Sequence, residues 1–198
     1  LVEHIPKKVI LDACSAPGGK LIHFEWSFSK EIEALLACEP NINRLRVLKD
    51  NLSLFKSSAH VIRSDSTRPP FRQMFDFVIC DAPCSGTGTI RKHPEIKWTR
   101  NKADFIKNQK IQLELLCNLA EVINPSGHLL YVTCSIEEEE NQAVISQFLS
   151  QFKEEFELIP FKLRNALLDP PVITPEGYYL ALPSSSQMGA FAALLKRV

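Results

Sequence analysis

The chain has 198 residues, 45% of them apolar, with 23 basic side chains against 23 acidic ones, which places it in the size range of one globular domain. At this length roughly 70% of the unfolded surface is buried on folding, so neither a disulfide framework nor a structural metal is needed to make a core. No apolar run approaches the roughly 20 residues that cross a bilayer, and the opening LVEHIPKK lacks the basic-then-apolar order of a signal peptide.

Short β-rich runs alternate with helical patterns, as expected for a mostly parallel sheet covered by helices on both faces. Residues 9–13 (VILDA) predict a strand that enters Ser15-Ala16-Pro17-Gly18-Gly19 and then a helix from about Lys20. Residues 32–38 predict a second strand, and 41–55, with Ile42, Leu45, Leu48, Leu52 and Phe55 near the helical period, a helix. Strands three and four fall at 59–63 and 75–80, the latter stopped by Asp81-Ala82-Pro83. The polar stretch 83–102 is too long for an idle connection, and loops of this length are usually functional or mobile. A helix over 103–123 is expected to close at Asn124-Pro125-Ser126-Gly127, followed by a fifth strand at 128–132 and a helix at 138–152. The acidic run from Glu137 to Glu140 reads as the solvated, dipole-favoured first turn of that helix. Two β-like runs at 156–159 and 190–196, joined by a Pro-rich excursion, predict an antiparallel hairpin at the sheet edge. No repeat or linker divides the chain.

In an open α/β sheet, ligands bind beyond the carboxyl ends of the strands. Asp12, Glu39, Asp65, Asp81 with Cys84, and Cys134 stand at or just after the ends of the five strands, so one rim is expected to gather carboxylates and thiols. The turn through Ala16-Pro17-Gly18-Gly19 is of the nucleotide-binding kind, where glycine lets a ligand approach the backbone. Glu39, about 20 residues on, suits ribose hydroxyls, and Asp65 suits adenine. The G-x-G-x-x-G and Walker patterns are absent, which favours an adenosine ligand without phosphates, such as S-adenosylmethionine, over NAD or ATP.

The cysteines at 14, 38, 80, 84, 117 and 134 are scattered, no C-x-x-C occurs, and Cys80 and Cys84 have no downstream Cys/His pair at ligand spacing. A reduced, cytoplasmic protein without a metal is the expectation. Cys14, Cys38, Cys80 and Cys117 read as inert, whereas Cys84 and Cys134 lie in polar loops converging on the rim. Methylation at carbon 5 of cytosine needs such a set: a thiolate to add to carbon 6, an acid at ring nitrogen 3 and a base for the carbon 5 proton. Residue types alone leave open which thiol is the nucleophile.

DACSAPGGK (12–20), FDFVICDAPCSGTG (75–88), IRKHPEIKW (90–98) and LLYVTCSIEEEEN (129–141) together closely resemble the RNA 5-methylcytosine methyltransferase family, called Sun/Fmu or NOL1/NOP2/Sun. The likeness runs from about Val9 to the closing MGAFAALLKR, and IRKHPEIKW looks most like the branch that methylates bacterial small-subunit ribosomal RNA. The resemblance implies a Rossmann-like class I fold with a seven-stranded, mostly parallel sheet and an antiparallel edge hairpin. It implies S-adenosylmethionine as cofactor, held by Cys14, Ser15, Ala16, Pro17, Gly18, Gly19, Lys20, Glu39, Asp65 and Asp81, with Lys20 closing the loop. It makes Cys134 the nucleophile, gives Cys84 the release of product, and puts Asp81 between cytosine and cofactor. Several positions depart from the family pattern: Glu39 replaces the usual Asp, Asn41 a second acidic residue, Ser64 a glycine and Met188 an aspartate. The resemblance also implies a preceding N-terminal region, so residues 1–198 are expected to be a single catalytic domain without it.

Arg91, Lys92, Lys97, Arg100, Lys102, Lys107 and Lys110 meet only Glu95 and Asp104 in their stretch of chain. Arg91, Lys92, His93, Lys97 and Trp98 read equally as an RNA-facing wall or as a solvated loop, and the resemblance favours the wall. Structured RNA, most of all ribosomal RNA, is the expected partner, from which the cytosine must be extruded. A non-catalytic RNA-binding module on the same fold, a transfer-RNA enzyme and a DNA cytosine-5 methyltransferase are the alternatives.

Overall fold

The computed structural model of the chain describes residue 5 and residues 8–72, 74–161 and 173–198. The strands are β1 (Val9–Asp12), β2 (Ala34–Cys38), β3 (His60–Ile62), β4 (Phe75–Asp81), β5 (Ile123–Thr133), β6 (Phe156–Ile159), β7 (Tyr179–Ala181) and β8 (Ala190–Arg197). The helices are α1 (Gly19–Phe28), α2 (Ile42–Leu54), α3 (Ile96–Thr99), α4 (Lys102–Ala120) and α5 (Gln142–Gln151). The sheet runs β3-β2-β1-β4-β5-β8-β6, and β7 extends the outer side of β8. Strands β3 to β5 in that order are mutually parallel, and β8 lies antiparallel between β5 and β6.

Neighbouring strand residues face opposite helical layers, which is why the strand runs are apolar throughout. On β1, Leu11 packs into the layer with Leu116 and Phe148 of α4 and α5, while Ile10 packs with Leu21 and Leu48 of α1 and α2. Asn41 caps α2 by accepting the N–H groups of Asn43 and Arg44, and Asn101 with Asp104 makes a capping box for α4. These caps explain why both helices begin where the sequence expects them.

The expected alternation and edge pairing are present, with three local differences. The helix predicted over 103–123 ends at Ala120, because Ile123 pairs with Phe75 at the start of β5. The Asn124–Gly127 stretch is then a bulge inside the strand, with Ser126 at φ 62°, and pairing resumes at His128 opposite Phe77. The helix predicted over 138–152 starts at Gln142, preceded by a single 3₁₀ turn at Glu138–Glu140. The solvated reading of the acidic run is wrong for Glu140, which is fully buried because neutral donors surround it. The third difference is β7, a short eighth strand that no sequence pattern announced. Part of the Pro-rich excursion, residues 162–172, lies outside the described residues.

Phe148 is fully buried and stacks on Phe152 with ring centroids 4.8 Å apart, while Phe156 meets its edge at 5.2 Å. Phe148→Ala should therefore cost about 3–5 kcal/mol in denaturant unfolding, whereas Leu54→Ala, at a 73% exposed position, should stay within about 0.5 kcal/mol.

Candidate active site

β1, β2, β4 and β5 release the chain on one rim of the sheet, and a cleft of about 640 Å³ opens there. Its walls include Cys14, Ala16, Lys20, Glu39, Asp65, Asp81, Cys84 and Cys134, so most of the expected site residues meet in one space. Ser15, Pro17, Gly18 and Gly19 shape the turn beside it. Ser15 donates through Oγ to the Asp12 carbonyl at 2.9 Å, and its N–H reaches the Cys38 carbonyl at 2.9 Å. The Pro17 carbonyl accepts from Asn51 Nδ2 at 2.8 Å. Gly18 has φ 106°, and a Cβ there would approach Leu48 to 2.9 Å, so the turn needs glycine twice over, for its angle and for its packing.

Glu39 is almost fully buried at the end of β2. Its carboxylate accepts the Asn41 N–H at 2.9 Å and lies 3.4 Å from the Arg44 guanidinium, which also donates to the Ala16 carbonyl at 2.7 Å. A carboxylate offers about four acceptor positions, so these contacts leave capacity for ligand hydroxyls. Asp65 accepts both the N–H and the hydroxyl of Thr67 at 2.9 Å. Ile111, Glu114 and Leu115 of α4 form the facing wall. Sequence reasoning missed Arg44 and this α4 wall. Arg44, in the first turn after the Asn41 cap, could have been found from its helical position; nothing in the α4 pattern says which side faces the rim.

Two pairs define the other end of the cleft. Lys20 Nζ and Asp81 Oδ2 are 2.5 Å apart, a charge-assisted hydrogen bond between α1 and β4. The sulfur atoms of Cys84 and Cys134 are 3.2 Å apart. Hydrogen bonding from the Cys84 thiol brings Cys134 down to about 7, against the opposing effects of burial and the Asp81 charge and with help from Lys20. Cys84 moves the other way, because its contact with Cys134 and its burial both hold the proton. Burial also pushes Cys38 up to about 12, and contact with the Cys14 thiol, followed by burial, raises Cys80 well above the ordinary range. The unreactive reading of Cys38 and Cys80 has this physical basis.

The stretch 83–102 is folded into a 3₁₀ turn at Thr87–Thr89 and the short helix α3, with Ile96 buried beneath it. Gly88 makes the closest approach: its N–H donates to the Cys134 carbonyl at 2.9 Å, and a Cβ would stand 2.5 Å from the Gly189 oxygen. Arg91, Lys92, His93, Lys97 and Trp98 are exposed, Trp98 at 87%, and lie outside the cleft wall. His93 pairs with Glu95 at 3.2 Å, while Arg100 turns inward and donates to the Ser85 carbonyl at 3.1 Å. Among the described residues, no ion pair occupies Arg91, Lys92 or Lys97. No group of metal-ligating side chains occurs among the described residues, and no helix there is long and apolar enough to cross a membrane.

Asp12 differs from its expected place on the rim. It is 1% exposed beneath the turn, and its carboxylate accepts the Cys14 N–H at 3.3 Å.

A parallel sheet with an antiparallel β8 insertion and a cofactor-type turn after β1 defines the Rossmann-like methyltransferase fold, and solved structures agree. A methyltransferase homologue from Pyrococcus horikoshii is 30% identical, with a TM-score of 0.78 over 98% of this chain and 63% of its own. NSun6 from the same organism, solved with SFG, superposes with a TM-score of 0.84 at 22% identity, over 100% of this chain and 50% of that one, which shows the shared fold. The family profile described as 16S rRNA methyltransferase RsmB/F matches residues 1–196, and the chain belongs to that family. Ribosomal RNA small subunit methyltransferase B of Pasteurella multocida (strain Pm70) is 41% identical over 152 residues, and its namesake in Vibrio cholerae serotype O1 is 36% identical over 147. These matches cover 72% and 73% of this chain but 33% of each relative, so the chain spans about a third of their length.

Burial, reinforced by the Asp81 charge, raises Asp12 to about 7. Its carboxyl takes up a proton on folding between the ordinary carboxylate range near pH 4 and pH 7, so it weakens the fold as pH rises through that window. Asp12→Asn, whose amide oxygen still accepts the Cys14 N–H, should gain stability over the parent chain across the same window. The gain should reach about 4 kcal/mol at most at pH 8 and vanish near pH 4 in paired denaturation curves.

Proposed function

We propose that this chain is the catalytic domain of an S-adenosylmethionine-dependent enzyme that methylates carbon 5 of cytosine in RNA through a covalent cysteine adduct. The observation that carries the reading is the 3.2 Å contact between Cys84 and Cys134 in the cleft that also holds Lys20 and Asp81. The names of the relatives favour small-subunit ribosomal RNA as substrate.

The residues present fit the cofactor. Glu39 offers acceptors for ribose hydroxyls, Ile111 and Leu115 offer apolar surface for adenine, and a Cβ at Gly19 would meet nothing within 4 Å, so backbone there is open to a ligand. Glu39, Asp65 and Asp81 supply negative charge suited to a sulfonium. S-adenosylmethionine supplies the methyl electrophile that the activated carbon 5 takes up.

The protein's part is to make that carbon nucleophilic and then restore the ring. The Cys134 thiolate forms a bond to carbon 6 while the ring's electron pair shifts toward carbon 5, ring nitrogen 3 takes up a proton from the Asp81 carboxylic acid, and Lys20 pairs with the carboxylate that this leaves. Loss of the carbon 5 proton to a base re-forms the ring double bond and expels the Cys134 sulfur. Cys84, in contact with that sulfur, is placed to assist this release. The order of the two thiols, which residue types left open, follows the family resemblance, with Cys134 as nucleophile and Cys84 in contact with it at 3.2 Å. The exposed Arg91, Lys92, Lys97 and Trp98, with His93, supply cations and an aromatic face for RNA phosphates and a splayed base.

Cys84→Ala should accumulate a protein–RNA adduct that survives denaturing electrophoresis, with turnover reduced roughly 10²-fold or more, and Cys134→Ala should form none. Adduct formation by Cys84-containing protein should rise with pH through about 7 and level off above it, following the Cys134 thiolate. Adduct in Cys134→Ala alone would reverse the two roles, and no adduct in any variant on cytosine-containing RNA would sink the covalent mechanism.

A further inference from the structure

Glu140 stands six residues after Cys134, outside the cleft wall and fully buried. Four donors converge on its carboxylate: the Ser85 N–H at 2.8 Å, the Ser85 hydroxyl, Asn108 Nδ2 at 2.8 Å and Gln112 Nε2 at 3.4 Å. All four are neutral, and no described lysine or arginine pairs with it. Burying a carboxylate without a cation is costly, and removing its donors or the acceptor itself leaves polar groups stranded, so the arrangement is specific and not simple filling.

What Glu140 holds is the backbone around Cys84. Ser85 directly follows that cysteine, and Gln112 also donates to the carbonyl of Pro83, which directly precedes it, at 2.9 Å. What holds Glu140 is the strand that delivers Cys134. Tyr131 on β5 donates to the Glu140 carbonyl at 2.6 Å, Thr133 donates to Asn141 Oδ1 at 2.6 Å, and Asn141 donates to the Ser135 carbonyl at 3.0 Å. Between the two loops, the Ser85 and Ser135 hydroxyls lie 3.3 Å apart and those of Thr87 and Ser135 3.2 Å apart.

We infer that Glu140 is a positioning residue for the two thiols: its carboxylate clamps the backbone beside Cys84 to the strand that carries Cys134, and so sets the contact between the sulfur atoms. Its role in turnover rests on the covalent reading above, but the clamp itself has a readout that needs neither RNA nor cofactor. The side chains that act on Cys134 are Cys84, Asp81 and Lys20, beside burial and a backbone hydrogen bond at Cys134 itself. Asp81 and Lys20 bond to each other and make no hydrogen bond to Glu140, so loosening the clamp changes the Cys84 contact first.

The experiment is the pH dependence of Cys134 alkylation by iodoacetamide, followed by peptide mass. The parent chain should be half-reactive near pH 7. Glu140→Ala should move the profile toward that of an ordinary thiol, with roughly tenfold slower reaction at pH 7. Glu140→Gln should keep the parent profile, because its amide oxygen accepts the Ser85 N–H while its amide nitrogen donates to the Ser85 hydroxyl, which turns to become an acceptor. Ser85→Ala removes one arm of the clamp and should shift the profile in the same direction by less; it decides the matter if Glu140→Ala does not fold. An unshifted profile in the folded variant overturns the clamp. A normal adduct pattern with an unshifted profile defeats the clamp alone, whereas a shifted profile with no adduct in Cys84→Ala defeats the covalent reading and leaves the clamp standing.

Discussion

A hydrogen bond between two thiols 50 residues apart in sequence depends on two parallel strands releasing their chains at adjacent points. β4 and β5 are in register from Phe77 with His128 to Asp81 with Val132, so Asp81 and Cys134 leave the sheet side by side. The chain after β4 must then turn back over the end of β5 for Cys84 to reach Cys134. It does so through a 3₁₀ turn whose Gly88 sits against the Cys134 carbonyl with no room for a side chain. A parallel pair with both faces buried provides the rigidity that an exposed loop by itself would lack.

The same geometry explains how one cleft holds groups with opposed electrostatic demands. A thiolate is favoured by Lys20 and by donation from Cys84, and disfavoured by Asp81 and by burial, and the balance leaves Cys134 close to neutral pH. The Lys20 and Asp81 pair keeps the carboxylate's charge partly compensated. Farther along the rim, Arg44 does the same for Glu39, an almost fully buried acid whose charge would otherwise be costly. Asp12 lies beneath the turn and outside the cleft wall, and burial with the nearby Asp81 charge pushes it up to about 7.

The departures from the family pattern gain a local meaning. Asn41, in place of an acidic residue, caps α2 with its side chain and offers its own N–H to Glu39, so the substitution keeps the helix start and the carboxylate orientation together. Ser64 lies partly buried before Asp65, whose carboxylate is held by Thr67. Met188 is 40% exposed in the approach to β8. For Ser64 and Met188 nothing in the structure explains the choice of residue.

Much of the fold was legible in the residues themselves, because apolar periodicity and punctuation by Asn, Pro and Gly are local signals. The strands β1 to β5, the helices that follow β2 and precede β5, and the antiparallel tail all follow from them, as does the convergence of Glu39, Asp65, Asp81, Cys84 and Cys134 on one rim once the strands are taken as parallel. What local patterning could not decide is which side chains a distant segment would meet. Glu140 sits in an acidic run that reads as solvated, and only the packing of α4 against the 3₁₀ turn brings Asn108, Gln112 and Ser85 around it. Asn124-Pro125-Ser126-Gly127 reads as a helix stop, and only the pairing of Ile123 with Phe75 makes it a bulge within a strand. The 3.2 Å contact between the two thiols likewise exists only in the folded chain, since chemical type is written in one residue but acidity is set by neighbours.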